Sequence, residues 1–119
     1  FFRDARSQCT EALNEASRCG WNRIALYGAS ELTEVASLCE ASGVEIVAVI
    51  DPAHTQNSFA HLPVVQTIDG AGGIDALLLT ALSDPQAVYD SLVREYPAGR
   101  VIVPGLLRIS VTPNGEVKP

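Results

Sequence analysis

The chain has no methionine, a single tryptophan, and only one lysine, Lys118, while its formal charge is −6. So acidic a surface is a poor match for a phosphate backbone, which argues against nucleic-acid binding by this stretch itself. No apolar run approaches the length needed to cross a bilayer, and the start lacks the layout of a signal peptide. Membrane partners are therefore not expected, and the composition points to the cytoplasm. Cysteine is scarce as well: Cys9, Cys19 and Cys39 are odd in number, fall in helical patterns and lack metal-ligand spacing. They read as buried or bystander thiols in a reducing compartment, with a zinc site as the lesser option. His54 and His61 lie seven apart with no cysteine beside them.

A chain without methionine that opens on FFRDAR reads as a domain cut from a longer protein. Arg3 and Arg6 support this, since positive charge is unfavourable in a first helical turn and the helix around them would begin before Phe1. What is present is globular in composition: 119 residues, 47% hydrophobic and 18% charged, enough for one core.

Along the chain, Ala5, Cys9, Ala12, Leu13, Ala16 and Cys19 recur at helical spacing over 4–19, closed by Gly20. RIALY (23–27) is a short buried strand. Gly28 to Ser30 make a turn, and Ser30 caps a helix over 30–42 that puts Leu32, Val35, Ala36 and Cys39 on one face before Gly43. EIVAVI (45–50) is nearly continuous in apolar character, as in a strand covered on both sides, and Asp51-Pro52 stops it. Residues 53–61 read as a loop, LPVV (62–65) as an optional short strand, and DGAGG (69–73) as a flexible connector. DALLLTA (75–81) is the third main strand, followed by a helix capped by Ser83 or Asp84 with Pro85 at its first position. Val88, Tyr89, Leu92, Val93 and Tyr96 form that helix's inner face, and RVIVP (100–104) is the fourth strand. An edge strand near Ile109 to Val111 and a polar tail complete the chain.

Strands alternating with helices predict an α/β fold, a Rossmann-like parallel sheet wrapped on both faces. With right-handed crossovers, the order predicted for the four main strands is 3-2-1-4. The division is a linking helix over 1–22, a ligand-binding domain over 23–108, and the edge strand and tail over 109–119.

In such sheets ligands sit past the carboxyl ends of the strands, where the order reverses. Topology gathers Gly28, Ala29 and Ser30 there with Asp51 and Pro52, with Thr80, Ala81 and Ser83, and with Pro104 and Gly105. Unpaired amides at the start of the 30–42 helix would favour an anion, and Gly28 would let a ligand approach the backbone. Asp51 lies 23 positions past Gly28, near the distance at which an acid meets ribose hydroxyls. Yet G-x-G-x-x-G is reduced to its first glycine, with Ser30 and Thr33 in the other places. Glu31 and Glu34 also crowd the first turn: a carboxylate about 4 Å from a phosphate charge costs roughly 1 kcal/mol in water and about 4 at an effective dielectric near 20. Those glutamates suit the helix dipole without any ligand. The competing interpretation is that Gly28 serves only the turn, Ser30 only the cap and Asp51 only the end of a strand. Glu31 has a further option, accepting a hydrogen bond from a sugar or base.

No catalytic set assembles. Ser30 lacks the spacing of a nucleophile elbow, and nothing orients His54 or His61 as acid or base. Trp21 packs beside the first strand, with a stacking platform as the alternative.

RIALYGASELTEVASLCEASGVEIVAVIDP (23–52) resembles small Rossmann-like domains attached to other modules. One group is the N-terminal nucleotide-sugar-binding domain of bacterial sugar acyltransferases, where this chain has Glu31-Leu32-Thr33 in place of a Gly-His-Gly run. The nearer resemblance, at Tyr27-Gly28-Ala29, is to the C-terminal sensor domain following a winged helix-turn-helix in bacterial transcription regulators, some associated with polysaccharide synthesis. That resemblance implies a non-catalytic sensor of a nucleotide, NAD, a nucleotide sugar or a related metabolite. It also implies a homodimer, with DNA bound through an upstream module; in this chain the first helix or the edge near Ile109 is the expected pairing surface. The alternatives are a cofactor- or donor-sugar-binding domain of an acyltransferase or NAD-dependent oxidoreductase, and a structural dimerisation module.

Overall fold

The computed structural model describes residues 2–39, 43–104 and 107. They form helix α1 (Phe2–Arg18), strand β1 (Arg23–Tyr27), helix α2 (Glu31–Ser37) and strand β2 (Glu45–Ile50). A small hairpin of β3 (Ser58–Phe59) and β4 (Leu62–Val65) follows, then β5 (Ala76–Leu79), helix α3 (Pro85–Leu92) and β6 (Val101–Ile102).

The described strands make one sheet in the order β3-β4-β2-β1-β5-β6. The β3–β4 pair is antiparallel and the other pairings are parallel. The class is therefore α/β with a mixed, mostly parallel sheet. Its middle is built from the apolar runs: Ile24, Ala25 and Leu26 of β1 and all four residues of β5 are buried. Strands so placed have both faces covered, which is why their sequences do not alternate.

The order differs from the one the pattern predicts. There, 75–81 sits outside 45–50 and 100–104 pairs with 23–27. In the structure β4 holds the outer edge of β2, through Val49 opposite Val64 and Ile50 opposite Val65. With that edge taken, β5 pairs with the free edge of β1, and β6 adds beyond β5. The short LPVV segment decides the topology. The direction of travel reverses at β1, and right-handed crossovers running opposite ways put α2 and α3 on opposite faces.

Helix α1 buries Ala5, Cys9, Ala12, Leu13 and Ala16 in the same core as the sheet. It ends at Arg18, so Cys19 falls in the turn and is exposed instead of extending the buried face. Gly20, at φ +80°, lets the Trp21 amide reach back to the Ala16 carbonyl, and Trp21 packs half-buried on the core. Helix α2 is shorter than the pattern predicts, with Leu38 already 65% exposed just past its end. Leu32, Val35, Ala36 and Cys39 are buried as the periodicity requires. The Cys39 thiol, just past α2, lies between the Val35 carbonyl at 3.4 Å and the Arg6 carbonyl of α1 at 3.6 Å. On α3, Tyr89 and Leu92 are buried and Val88 is half-buried; the helix stops at Leu92, so Val93 and Tyr96, expected on the same face, pack half-buried on the core from the turn that follows. Residues 53–61 are not all loop, since Ser58 and Phe59 pair with Pro63 and Leu62. The edge strand near Ile109 to Val111, the polar tail and the helix start before Phe1 lie outside the described residues.

Candidate functional site

Register aligns the ends of three strands. Tyr27 stands opposite Ile50 on one side and Leu79 on the other. Gly28, Asp51 and Thr80 are thus the first residues past one row, and the ladder runs one step further. The Gly28 amide donates to the Ile50 carbonyl at 2.8 Å, and the Thr80 amide to the Tyr27 carbonyl at 2.9 Å.

This close approach explains the glycine. Gly28 has φ +101°, and a Cβ on it would lie 2.7 Å from the Ala81 Cβ, 2.8 Å from its Cα and 2.9 Å from its nitrogen. Residue 28 must lack a side chain because the continuation of β5 occupies the space, with or without a ligand.

Most amides at the mouth of α2 are already bonded within the protein, which narrows the open mouth that the sequence suggests to the Glu31 amide. The Ala29 amide donates to Asp51 Oδ2 at 2.9 Å, the Ser30 amide to Thr33 Oγ1 at 2.9 Å, and the Leu32 amide to Ser30 Oγ at 3.1 Å. Ser30 and Thr33 form a reciprocal capping box. The Ser30 hydroxyl donates in turn to the Thr80 carbonyl at 2.5 Å. Buried Thr33 and Thr80 bring their hydroxyls to the Gly28 carbonyl, at 2.5 and 2.6 Å. A polar network thus ties the turn to β5 and satisfies its buried groups.

Asp51 belongs to that network. Its Oδ2 holds Ala29, and its Oδ1 accepts from the Ala53 amide at 2.9 Å, pinning the start of the loop after β2. Both oxygens are engaged by the backbone, which leaves less of the carboxylate for the ribose hydroxyls that its spacing suggests.

Beside the turn, between the loop after β2 and α3, lies an open cleft of about 620 Å³. Gly28, Ala29, Ser30, Asp51 and Pro52 line it from one side, and Ala81 and Ser83 from the other. Of the remaining residues that topology suggests, Thr80 is fully buried beneath, Pro104 is buried elsewhere, and Glu31 is exposed on the first turn of α2. Gly105 lies outside the described residues. Tyr27, which the sequence leaves open between core and rim, also lines the cleft, while sequence reasoning missed Ala53 and the α3 wall of Asp84, Ala87, Val88 and Ser91. The signal for that wall was present, because positions 84, 87, 88 and 91 make one helical stripe of small or short side chains.

The lining is largely apolar, with two carboxylates, Asp51 and Asp84, and no basic side chain among the described residues. Asp84 is the N-cap of α3 but makes no side-chain capping bond. Burial raises the Tyr27 phenol above its ordinary pKa, with the Glu95 and Asp51 carboxylates adding to the effect.

Neither histidine lines the cleft. His54 turns its ring edge-on to Phe59, with centroids 5.5 Å apart, and its buried Nε2 has no hydrogen-bond partner among the described residues. His61 sits in the β3–β4 turn at φ +66°. Cys9 and Cys39 are buried, and burial pushes the Cys9 thiol up to about 12. Among the described residues, no group of three or more histidine, cysteine, aspartate or glutamate side chains is placed to hold a metal. Nor is any described helix long and apolar enough to cross a membrane.

No protein-family model matches the chain, and no curated protein or solved structure is significantly similar to it.

Proposed function

We propose that this chain is a non-catalytic, Rossmann-like regulatory domain that binds a small metabolite in the cleft between the β1–α2 turn and α3. The observation that carries this reading is the cleft itself. It has the size of small-molecule sites and lies past the carboxyl ends of β1 and β5, where the chain reverses direction across the sheet. The parallel strands β4-β2-β1-β5-β6 follow the order of doubly wound nucleotide-binding sheets, which supports the same assignment. The resemblance of 23–52 to sensor domains of bacterial transcription regulators supplies the biological setting, a cytoplasmic regulator working as a pair. Occupancy of the cleft would bias how two copies associate, and so the spacing of attached DNA-binding modules. The non-catalytic part of the reading draws on bonding: the Ser30, Thr33 and Thr80 hydroxyls are committed to backbone groups, and both histidines lie outside the cleft.

A thermal-unfolding panel tests the reading. It contains NAD, FAD, coenzyme A, UDP-sugars, nucleosides, nucleoside phosphates, free sugars and amines. A ligand at a hundred times its dissociation constant stabilises by about 2.7 kcal/mol, which raises Tm by several degrees in a domain of this size. The control is Ala87→Trp, which fills the cleft from the exposed side of α3 and leaves the β1–α2 turn alone. The expected result is at least one compound that stabilises the parent domain and not the variant. A panel with no effect on either overturns the reading.

A further inference from the structure

The cleft's bonding also bears on the class of ligand it takes. Phosphate sites at strand–turn–helix junctions work because free amides point at the anion and the residues around them are neutral or basic. Here the amides of Gly28, Ala29, Ser30 and Leu32 are each already bonded within the protein, and the Glu31 amide that is left belongs to a residue whose own carboxylate opposes an anion. The Asp51 carboxylate sits on the Ala29 amide, which puts negative charge where a phosphate oxygen would dock. The other charged lining residue, Asp84, is also an acid, and no basic side chain compensates among the described residues. The rest of the wall is apolar surface of Pro52, Ala53, Leu82, Ala87 and Val88, with the Tyr27 and Ser91 hydroxyls for polar contacts.

We infer that the cleft takes uncharged or amine-bearing ring compounds and rejects their phosphorylated forms, with Asp51 as the residue that sets this selectivity. The inference rests on the ligand-binding reading of the same cleft and deepens it. Asp51 acts twice: it uses up the amide that an anion would need, and it repels the anion. An ammonium group gains from the same charge.

The test titrates the domain with matched pairs and follows its amide resonances. The pairs are adenosine and adenosine monophosphate, glucosamine and glucosamine 6-phosphate, and phenol and phenyl phosphate. The expected result is that an unphosphorylated member shifts the resonances of Ala87 and Val88, while its phosphorylated partner binds at least about tenfold more weakly, from charge repulsion at close range. In Asp51→Asn, which keeps an acceptor and removes the charge, that gap shrinks to about threefold or less. If Asp51→Asn does not fold, Asp84→Asn tests the same repulsion, because the Asp84 side chain makes no capping bond. A phosphorylated compound that binds the parent cleft as tightly as its partner overturns the inference and leaves the ligand-binding reading standing. Silence across these pairs and across the whole thermal panel overturns both.

Discussion

Replacing Gly28 by alanine should be among the most damaging single-methyl changes available to this chain. Two costs combine. Residue 28 has φ +101°, where a Cβ meets its own backbone, which costs about 1–2 kcal/mol for an L-residue in left-handed space. The added methyl also meets three atoms of Ala81 at 2.7 to 2.9 Å, two of them backbone, so relief requires the turn and the end of β5 to move apart. Overpacking of this kind costs about 1–3 kcal/mol. The sum, about 2–5 kcal/mol, is a large part of the roughly 5–15 kcal/mol that holds a typical domain together. Urea unfolding with a common slope for both proteins measures it. The double variant Gly28→Ala with Ala81→Gly removes the Cβ–Cβ contact but not the contacts to the Ala81 backbone. It should therefore show a favourable coupling of about 1 kcal/mol, not full recovery. A Gly28→Ala loss below about 1 kcal/mol would refute the argument that Gly28 exists for Ala81, and would reopen the possibility that it is kept for a ligand.

Two further outcomes follow from the geometry. The half-buried Asp75 accepts from the Asn22 and Arg23 amides at 2.8 and 3.0 Å, and these bonds hold its pKa below the usual carboxylate value. A depressed pKa contributes stability above the unfolded value, about 3.9, and that contribution fades as pH falls through the lower folded value. Asp75→Asn should therefore be less stable than the parent at pH 7, with the gap closing below about pH 4. A gap that does not vary with pH, in urea melts between pH 7 and 2.5, would contradict the assignment. In the β3–β4 turn, Ala60 and His61 both have positive φ, 52° and 66°, a conformation that asparagine and glycine adopt far more readily. Ala60→Asn with His61→Gly should raise stability by roughly 1–2 kcal/mol, read as a higher urea midpoint; no gain would mean that the turn relaxes in solution.

Much of this architecture was legible because its signals are local. The apolar runs at 23–27, 45–50 and 75–81 needed no partner to be recognised, and Pro85 at the first position of α3 carries its own meaning. The strand order was not legible, because it depends on which of several apolar segments wins the outer edge of β2. Leu62–Val65 wins with two paired positions, Val64 and Val65, and contains a proline, so its local signal is weak while its topological consequence is large. Helix ends were misjudged for a related reason. Periodicity carries the apolar pattern onward to Cys39, but hydrogen bonding stops α2 at Ser37.

The turn shows the limit of motif reading more sharply. Glycine, serine and a distant aspartate are the residues expected of a loop that waits for a phosphate, and the same residues also close a loop without one. The residue in the place of the fingerprint's third glycine discriminates between the two. A glycine at position 33 could neither accept from the Ser30 amide nor donate to the Gly28 carbonyl, and the amide would stay free for a guest. Thr33 does both, and Thr80 reaches the same carbonyl from β5. Asp51 takes the Ala29 amide. Thr33 and Asp51 thus accept from amides that a phosphate oxygen would otherwise take, while Thr80 satisfies a carbonyl. A ligand in the cleft would therefore meet the turn chiefly through the Asp51 carboxylate and the apolar edge of Ala29, with the α3 wall opposite.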